Sequence, residues 1–445
     1  MADTTRPGSP VRPFVSGYNW FKNLTDRRPI FLSISFLIIC ILFLIIDGRK
    51  YIGNQSYDLR SFYSAAKVVF DHGQSPYNLA QMAKVLGPHV DFNPFLYPPS
   101  TMFIFFPLAG MSYAQACNAV LIINDLLYLS LMWIIPVYLL GFQPRKRPAA
   151  FLVSAIIMLY FNPTRWVINL GEVDILAFAA IAVFWILSRS QKESFAGFFL
   201  ALAIIVKTYP IVLIPFLLLS GRWREIFHTF IWLVVTTVFA YIVLPQFIWH
   251  DWLIKVVPSG GYLNTPAGLF PPSSPWNQGL NGFFARIFIH GQNLTGLPTV
   301  YPAEKVVVYI AAMFVMILTA IAVWHSRKLR DSLDRCMIVT LPAIFLIAPF
   351  SYLQHLVYLI PTIIFLIFSR SLLDKYGKDI FYSLLAISAL VIASPKTLPL
   401  EFYAVAILWG LTTFALISGK FELEGDKTVT PKASGEMAGD LSIVR

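Results

Sequence analysis

Asp58 lies about a dozen residues beyond the first apolar run, in the polar and aromatic stretch Tyr57-Asp58-Leu59-Arg60-Ser61-Phe62-Tyr63. If that stretch faces the outside of a membrane, its carboxylate has the chemistry of a general base for a hydroxyl. The structural alternative is a helix-capping acid, which contributes about 0.3 to 1 kcal/mol against the helix dipole. Lys207 sits between two apolar segments with no acid beside it in sequence, so it must snorkel to the interface or meet an anion. His355 ends an apolar run among Tyr352, Gln354 and Tyr358. An imidazole there can donate to a phosphate or sugar oxygen, or simply belong to an aromatic belt. Arg60, Arg286 and Arg165 add cations outside the apolar runs. Glu172-Val173-Asp174 is an acid-x-acid pair of the kind that holds Mg²⁺ or Mn²⁺ against phosphate. Two acids in the first turn of a helix also suit its positive end, and that reading is preferred, so neither a metal nor any other cofactor is expected.

The elements that position these residues follow from composition. With 57% hydrophobic and only 13% charged residues, and a mean hydropathy of +0.67, a soluble globule of this length is excluded. Apolar runs near residues 30–46, 116–140, 149–161, 173–187, 195–206, 208–219, 227–247, 302–324, 336–350, 355–369, 380–393 and 402–418 predict about twelve transmembrane helices. Residues 195–219 are ambiguous, because each half is shorter than a bilayer crossing needs and one kinked helix is possible. Reading them as a hairpin turning at Lys207-Thr208-Tyr209-Pro210 gathers 23 of the 34 Lys and Arg residues, both termini included, on one side. By the bias of basic loops that side is the cytoplasm, and a single helix would scatter it. Asn124 and Asp125 inside the second run must face protein or water, and an interhelical polar contact is the expected role.

Residues 1–29 carry Arg12, Lys22, Arg27 and Arg28 ahead of the first run without a cleavage site, as in a signal anchor. Residues 419–445 read as a disordered cytoplasmic tail. Cys40, Cys117 and Cys336 fall in or beside apolar runs without metal-ligand spacing, so no disulfide or structural metal is predicted. The pI near 9.4 reflects topology-setting charges facing lipid headgroups, and nucleic acid is not implied. Two long loops, 47–115 and 248–301, fall on the extracytoplasmic side of the 30–418 membrane domain. The first predicts an amphipathic helix from about Asp58 to Phe70 lying along the membrane surface, then a turn at His72-Gly73-Gln74-Ser75-Pro76. The second, rich in Pro, Gly and aromatics, predicts a folded irregular cap.

The order of Asp58, Tyr63-Ser64-Ala65-Ala66, Gly73-Gln74-Ser75-Pro76-Tyr77, Phe95-Leu96-Tyr97-Pro98-Pro99 and Pro107-Leu108 resembles the first outer loop of glycosyltransferase family 87. Further matches are Gly171, Ala196-Gly197 with Lys207 and Pro210, Trp276-Asn277-Gln278, and His355 after Ser351-Tyr352-Leu353-Gln354. Two departures stand out: Gly171-Glu172-Val173-Asp174 where the family tends to Gly-Gln-x-Asn, and Asn277-Gln278-Gly279 where it tends to Asn-Gln-Ser. The resemblance implies a GT-C bundle and an alpha-mannosyltransferase of a plasma membrane, with a polyprenyl-phosphate-mannose donor and a glycolipid or glycan acceptor. It implies transfer with inversion on the extracytoplasmic face, Asp58 serving as base. A lipid phosphate sugar carries its own leaving group, so one carboxylate and a few cations suffice. Lys207, His355, Arg60 and Arg286 are then candidates for the donor phosphate, and Tyr63, Tyr97, Trp276, Asn277 and Gln278 for sugar or acceptor. The rivals are a multi-pass transporter or flippase of lipid-linked sugars, for which paired repeats are missing, and a polysaccharide ligase.

Overall fold

In hydrocarbon every backbone N–H and C=O must find a partner within the chain, and the apolar runs accordingly fold as helices. A computed structural model describes residues 29–48, 56–142, 144, 146–288, 302–329, 331–371, 373–393, 400–419 and 421–422. The basic N-terminal segment, most of the tail, and parts of both long loops expected from the sequence lie outside the described residues. In chain order the α-helices are α1 (Pro29–Gly48), α2 (Leu59–Phe70), α3 (Leu79–Leu86), α4 (Met102–Ala109), α5 (Tyr113–Ile134), α6 (Pro148–Tyr160), α7 (Asn162–Leu170), α8 (Asp174–Arg189) and α9 (Glu193–Val206). They continue as α10 (Leu213–Leu219), α11 (Trp223–Val243), α12 (Gln246–Asp251), α13 (Leu280–Phe288), α14 (Pro302–Ser326), α15 (Ser332–Ile347), α16 (Ile360–Phe368), α17 (Lys375–Ala393) and α18 (Glu401–Ser418). The two residues of β1 (Arg370–Ser371) pair antiparallel with those of β2 (Phe421–Glu422).

Among the described residues five helices are long and apolar enough to cross a membrane, and six if α6 and α7, bent by 48° at Phe161, form one span. The other runs read as spans appear as shorter apolar helices, among them Leu32–Ile45, Glu193–Val206, Tyr209–Leu219 and Leu353–Phe368. Helix α11 exposes Phe227, Phe230, Val238 and Ile242 along its flank, the surface of a helix that faces lipid. The core instead follows α8, α15 and the 3₁₀ segment Leu353–Leu359 that leads into α16, whose large side chains Trp185, Phe178, Phe345 and Tyr358 are fully buried.

Helices α8 and α9 pack along one another, so the start of α8 and the end of α9 lie at the same end of the bundle. Beyond Lys207 the chain turns back. Ser188 Oγ, near the far end of α8, donates to Glu225 Oε1 in α11 at 2.6 Å, which puts the residues after α10 beside Arg189. The turn at Lys207 through Pro210 is thus a reversal, and Pro210, which has no backbone N–H to continue a helix, sits within it as a 3₁₀ segment.

The described part of the first long loop is a folded unit. Helix α2 begins where the sequence placed it, but it does not lie open on a membrane surface, since nine of its twelve residues are buried and none is fully exposed. Small Ser61, Ser64, Ala65 and Ala66 interrupt its apolar stripe and let α3 and α4 approach. Phe62 stacks on Phe105 of α4 at 4.5 Å. In α5, Asn124 donates to the Glu172 carbonyl at 3.0 Å, in the turn between α7 and α8.

Gly171 ends α7 in the left-handed region at φ +68°. A Cβ there would stand 2.9 Å from the Cβ atoms of both Leu59 and Ser56. That close approach allows the Asp58 amide to bond the Leu170 carbonyl at 2.9 Å. Gly171→Ala is therefore expected to destabilise the fold by at least about 1–2 kcal/mol, the cost of left-handed backbone for a residue with a Cβ. Thermal unfolding of the purified variant measures it, and an unchanged midpoint would show that the approach is not tight.

Candidate active site

One cavity of about 260 Å³ lies beside the two long loops, lined on one side by Asp58, Asn93, Tyr97 and Phe62, and on the other by Glu172, Lys207, Tyr209, Tyr352 and His355. Its construction starts with the reversal at Lys207. A 3₁₀ turn at Pro99–Thr101 follows Pro98, and Thr101 Oγ1 donates to the Ile205 carbonyl at 2.8 Å, which clamps the Tyr97 segment onto the end of α9. Tyr77 adds a hydroxyl bond of 2.7 Å to the Tyr97 carbonyl.

Lys207 is buried, and three groups surround its ammonium: Tyr97 Oη at 2.7 Å, Glu172 Oε2 at 2.8 Å and Asp174 Oδ2 at 3.2 Å. Burial alone would lower the Lys207 pKa, but the charges of Asp174 and Glu172 outweigh it and hold the ammonium protonated. All three of its donors are thereby engaged within the protein. The anion that the sequence required is supplied by two acids at the start of the neighbouring helix. Asp174 Oδ1 accepts from the Tyr209 hydroxyl. Its Oδ2 makes no hydrogen bond among the described residues and is held by charge, with His355 Nε2 at 3.8 Å. Since His355 Nδ1 accepts from the Tyr352 amide at 3.3 Å, a neutral ring carries its proton on Nε2, toward Asp174.

Glu172, Asp174 and His355 could bring three ligand atoms within 4.8 Å of one another. The donor set does not fit a resident cation, because the Lys207 ammonium already occupies the bite between the two carboxylates. A divalent ion there would have to displace a buried lysine.

Asp58 stands apart from that cluster. It occupies the N-cap position of α2 but has helical backbone angles and makes no side-chain cap bond, which removes capping as its role. Asn93 Nδ2 donates to its Oδ1 at 2.6 Å. Among the described ion pairs Lys207 bonds Glu172 and Asp174, whereas Asp58 has none. Burial lifts the Asp58 carboxyl well above the ordinary carboxylate range, with the charge of Glu172 adding to the effect and Lys207 and Asn93 opposing it. A buried acid with a raised pKa at a cavity wall is suited to accept a proton.

The structure thus brings Asp58, Tyr97, Lys207 and His355 together, with Glu172 among them. The other sequence candidates lie outside the lining. Tyr63 donates to the Met111 carbonyl at 3.1 Å, and Arg60 donates to the Asp91 carbonyl at 2.7 Å beside the Tyr57 ring. Arg286 bonds the Ser274 and Asn277 carbonyls at 3.3 and 2.9 Å. Asn277 bonds the Pro349 carbonyl at 3.0 Å and its Oδ1 receives the Ser351 amide at 3.2 Å, while the Gln278 side-chain Oε1 receives the Phe402 amide at 2.9 Å. These residues fasten the second loop to the segment that carries Tyr352 and His355. Trp276 packs against Trp166, ring centroids 5.5 Å apart. Asn93, Tyr209 and Tyr352 escaped the sequence reading. Tyr209 and Tyr352 lie inside stretches singled out for Lys207 and His355, but nothing in the sequence marked Asn93.

A profile of glycosyltransferase family 87 matches residues 95–354, more than half of the chain. The match begins after Asp58 and ends one residue before His355, so the placement of these two rests on the geometry above. No curated protein matches the chain.

Removal of Lys207 leaves two buried carboxylates facing each other without a counter-charge. Lys207→Met is expected to lose about 3–5 kcal/mol of stability, the range for breaking a buried pair from one side. Adding Glu172→Gln and Asp174→Asn should restore much of it; unfolding midpoints of the three proteins decide, and an indifferent Lys207→Met would show that the cluster is not closed.

Proposed function

Because the chain belongs to glycosyltransferase family 87, we propose that it moves a mannosyl or similar residue from a polyprenyl-phosphate donor to a hydroxyl of a glycolipid or glycan. The proposed protein is a GT-C bundle of about twelve spans in a plasma membrane, its termini cytoplasmic and its cavity open to the extracytoplasmic side. One observation carries the reading: of the three acids around the cavity, two hold Lys207 and the third, Asp58, is left with a single neutral partner. One available carboxylate fits a single displacement with inversion, whereas retention would need a separate nucleophile and acid.

In that reaction Asp58 takes the proton of the acceptor hydroxyl as its oxygen forms the new bond to the anomeric carbon. The bond from that carbon to the phosphate oxygen breaks, and the polyprenyl phosphate leaves as an anion. Asn93 fixes one carboxylate oxygen and directs the other toward the acceptor. Lys207 acts on the leaving phosphate through its field, since its protons are engaged, and His355 and Tyr352 offer neutral donors nearby. Tyr97 couples the acceptor wall to Lys207. Arg60, Arg286, Asn277 and Gln278 serve by holding the loops over the cavity.

Asp58→Asn keeps the Asn93 contact geometry and removes the base. Its transfer rate from radiolabelled polyprenyl-phosphate-mannose in membranes should drop about 10²- to 10⁴-fold with the unfolding midpoint unchanged. The parent rate should fall as pH is lowered through a value above the ordinary carboxylate range, where Asp58 becomes protonated; full transfer by Asp58→Asn would remove the proposed base. EDTA should leave the rate unaltered, and strong inhibition reversed by Mg²⁺ or Mn²⁺ would reinstate Glu172 and Asp174 as metal ligands.

A further inference from the structure

Ser61 lines the same cavity as Asp58, one turn further along α2, and is only 3% exposed. A hydroxyl buried in a helix ordinarily returns to the carbonyl one turn back. Ser64 does so, donating to the Arg60 carbonyl at 2.7 Å, and Ser154 and Thr229 do the same toward the Ala150 and Glu225 carbonyls, both at 2.7 Å. Ser61 does not: its Oγ is buried and makes no hydrogen bond among the described residues. Thr164, Ser388 and Thr413 share that lack but lie outside the cavity lining, whereas Tyr352, whose hydroxyl is also unpaired, lines the opposite wall.

The start of α2 explains the free hydroxyl. Ser61 is the third residue of the helix, the position whose side chain closes a capping box by reaching back to the N-cap amide. That amide belongs to Asp58 and is taken by the Leu170 carbonyl at 2.9 Å. The reciprocal bond is missing too, because the Ser61 amide bonds the Asp58 carbonyl at 3.1 Å while the carboxylate turns to Asn93. Asp58 and Ser61 therefore share one helix face without bonding each other, at a three-residue spacing that sets Cβ atoms roughly 5–6 Å apart. Two neighbouring hydroxyls on one ring can bridge such a spacing. Since Ser61 Oγ has no bond to give up, a turn about χ1 toward a group in the cavity breaks no internal contact.

We infer that Ser61 binds a second hydroxyl of the acceptor, next to the one that yields its proton to Asp58, so that the site selects a sugar ring with neighbouring hydroxyls over a lone alcohol such as a serine or threonine side chain. The inference rests on the reaction proposed above. A buried hydroxyl without a partner is unfavourable, and a ligand hydroxyl that pairs it removes that penalty on binding. Sites built around a hydrogen bond to a substrate hydroxyl also reject analogues that lack it.

Ser61→Ala keeps the small size that the packing of α2 needs and removes only the hydroxyl. Its unfolding midpoint should be no lower than the parent's; a lower one would reveal an internal bond and overturn the inference. Transfer is then followed in detergent with the purified full chain, radiolabelled polyprenyl-phosphate-mannose and a glycolipid extract of the membranes in which the chain naturally resides. The acceptor level giving half-maximal transfer should rise about three- to tenfold in Ser61→Ala, the loss of one hydrogen bond, and the donor level should stay where it is. An unchanged acceptor dependence, or an equal rise for donor and acceptor, would overturn the role of Ser61. Label found on protein in whole membranes and released by alkaline β-elimination would overturn the choice of a sugar ring. Asp58→Asn separates the two readings: full transfer by that variant counts against the proposed base, whereas its inactivity beside parental behaviour of Ser61→Ala counts against Ser61 alone.

Discussion

A buried ammonium cannot be left without anions, and that constraint organises the end of this protein that holds the cavity. Lys207 draws together the start of α8 through Glu172 and Asp174, the end of α9 on which it stands, and the first outer loop through Tyr97. His355, on the segment before α16, meets the same cluster through Asp174. A cluster of this kind adds little net stability compared with well-packed apolar side chains, because desolvation cancels most of the attraction. Its contribution is geometric: four chain segments distant in sequence have one low-energy arrangement, and the cavity wall is that arrangement.

The same arithmetic of charge sets the character of Asp58. Three acids face one lysine, and two of them are closer to it. The third is left buried beside Glu172 with only an amide for company, so its protonated form is favoured more than for a carboxylate in water. Had Lys207 bonded Asp58 directly, the carboxylate would be stabilised as an anion and would be a poor base. Holding the lysine on Glu172 and Asp174 keeps a positive field in the cavity without neutralising Asp58, the proposed base.

Much of this was legible in the sequence. Helical periodicity from Asp58 to Phe70 gave α2 to within a residue, and loop charges placed the reversal at Lys207. The partners of Lys207 were not legible, because Glu172 and Asp174 lie more than thirty residues upstream and reach it only through the antiparallel packing of α8 and α9. Hydropathy likewise could not distinguish long spans from short apolar helices, since both present continuous apolar runs. Cations in outer loops looked alike as phosphate ligands. Only coordinates show that Arg60 and Arg286 reach backbone carbonyls, which leave no pattern in the sequence. Asn93 was silent because a lone Asn in a loop carries no spacing signal.

The shortness of α8 and α9 has a physical consequence for the proposed reaction. Sixteen and fourteen residues span roughly 24 and 21 Å, less than the roughly 30 Å of a hydrocarbon core. If Arg189 and Lys192 stand at the inner interface, Asp174 and Lys207 end below the outer one. A polar site recessed to that depth survives because the folded outer loops, α2 with its 3₁₀ neighbour at Pro99–Thr101, close over it and satisfy its backbone groups. For a sugar carried on a membrane-anchored phosphate, such a recess lets the charged leaving group meet Lys207 without the lipid chain leaving the bilayer. On the proposed reaction an acceptor hydroxyl would come from the Asp58 side, beside the long loops. Donor and acceptor would then reach the cavity from different phases, and the two walls built around Lys207 and Asp58 divide the site accordingly.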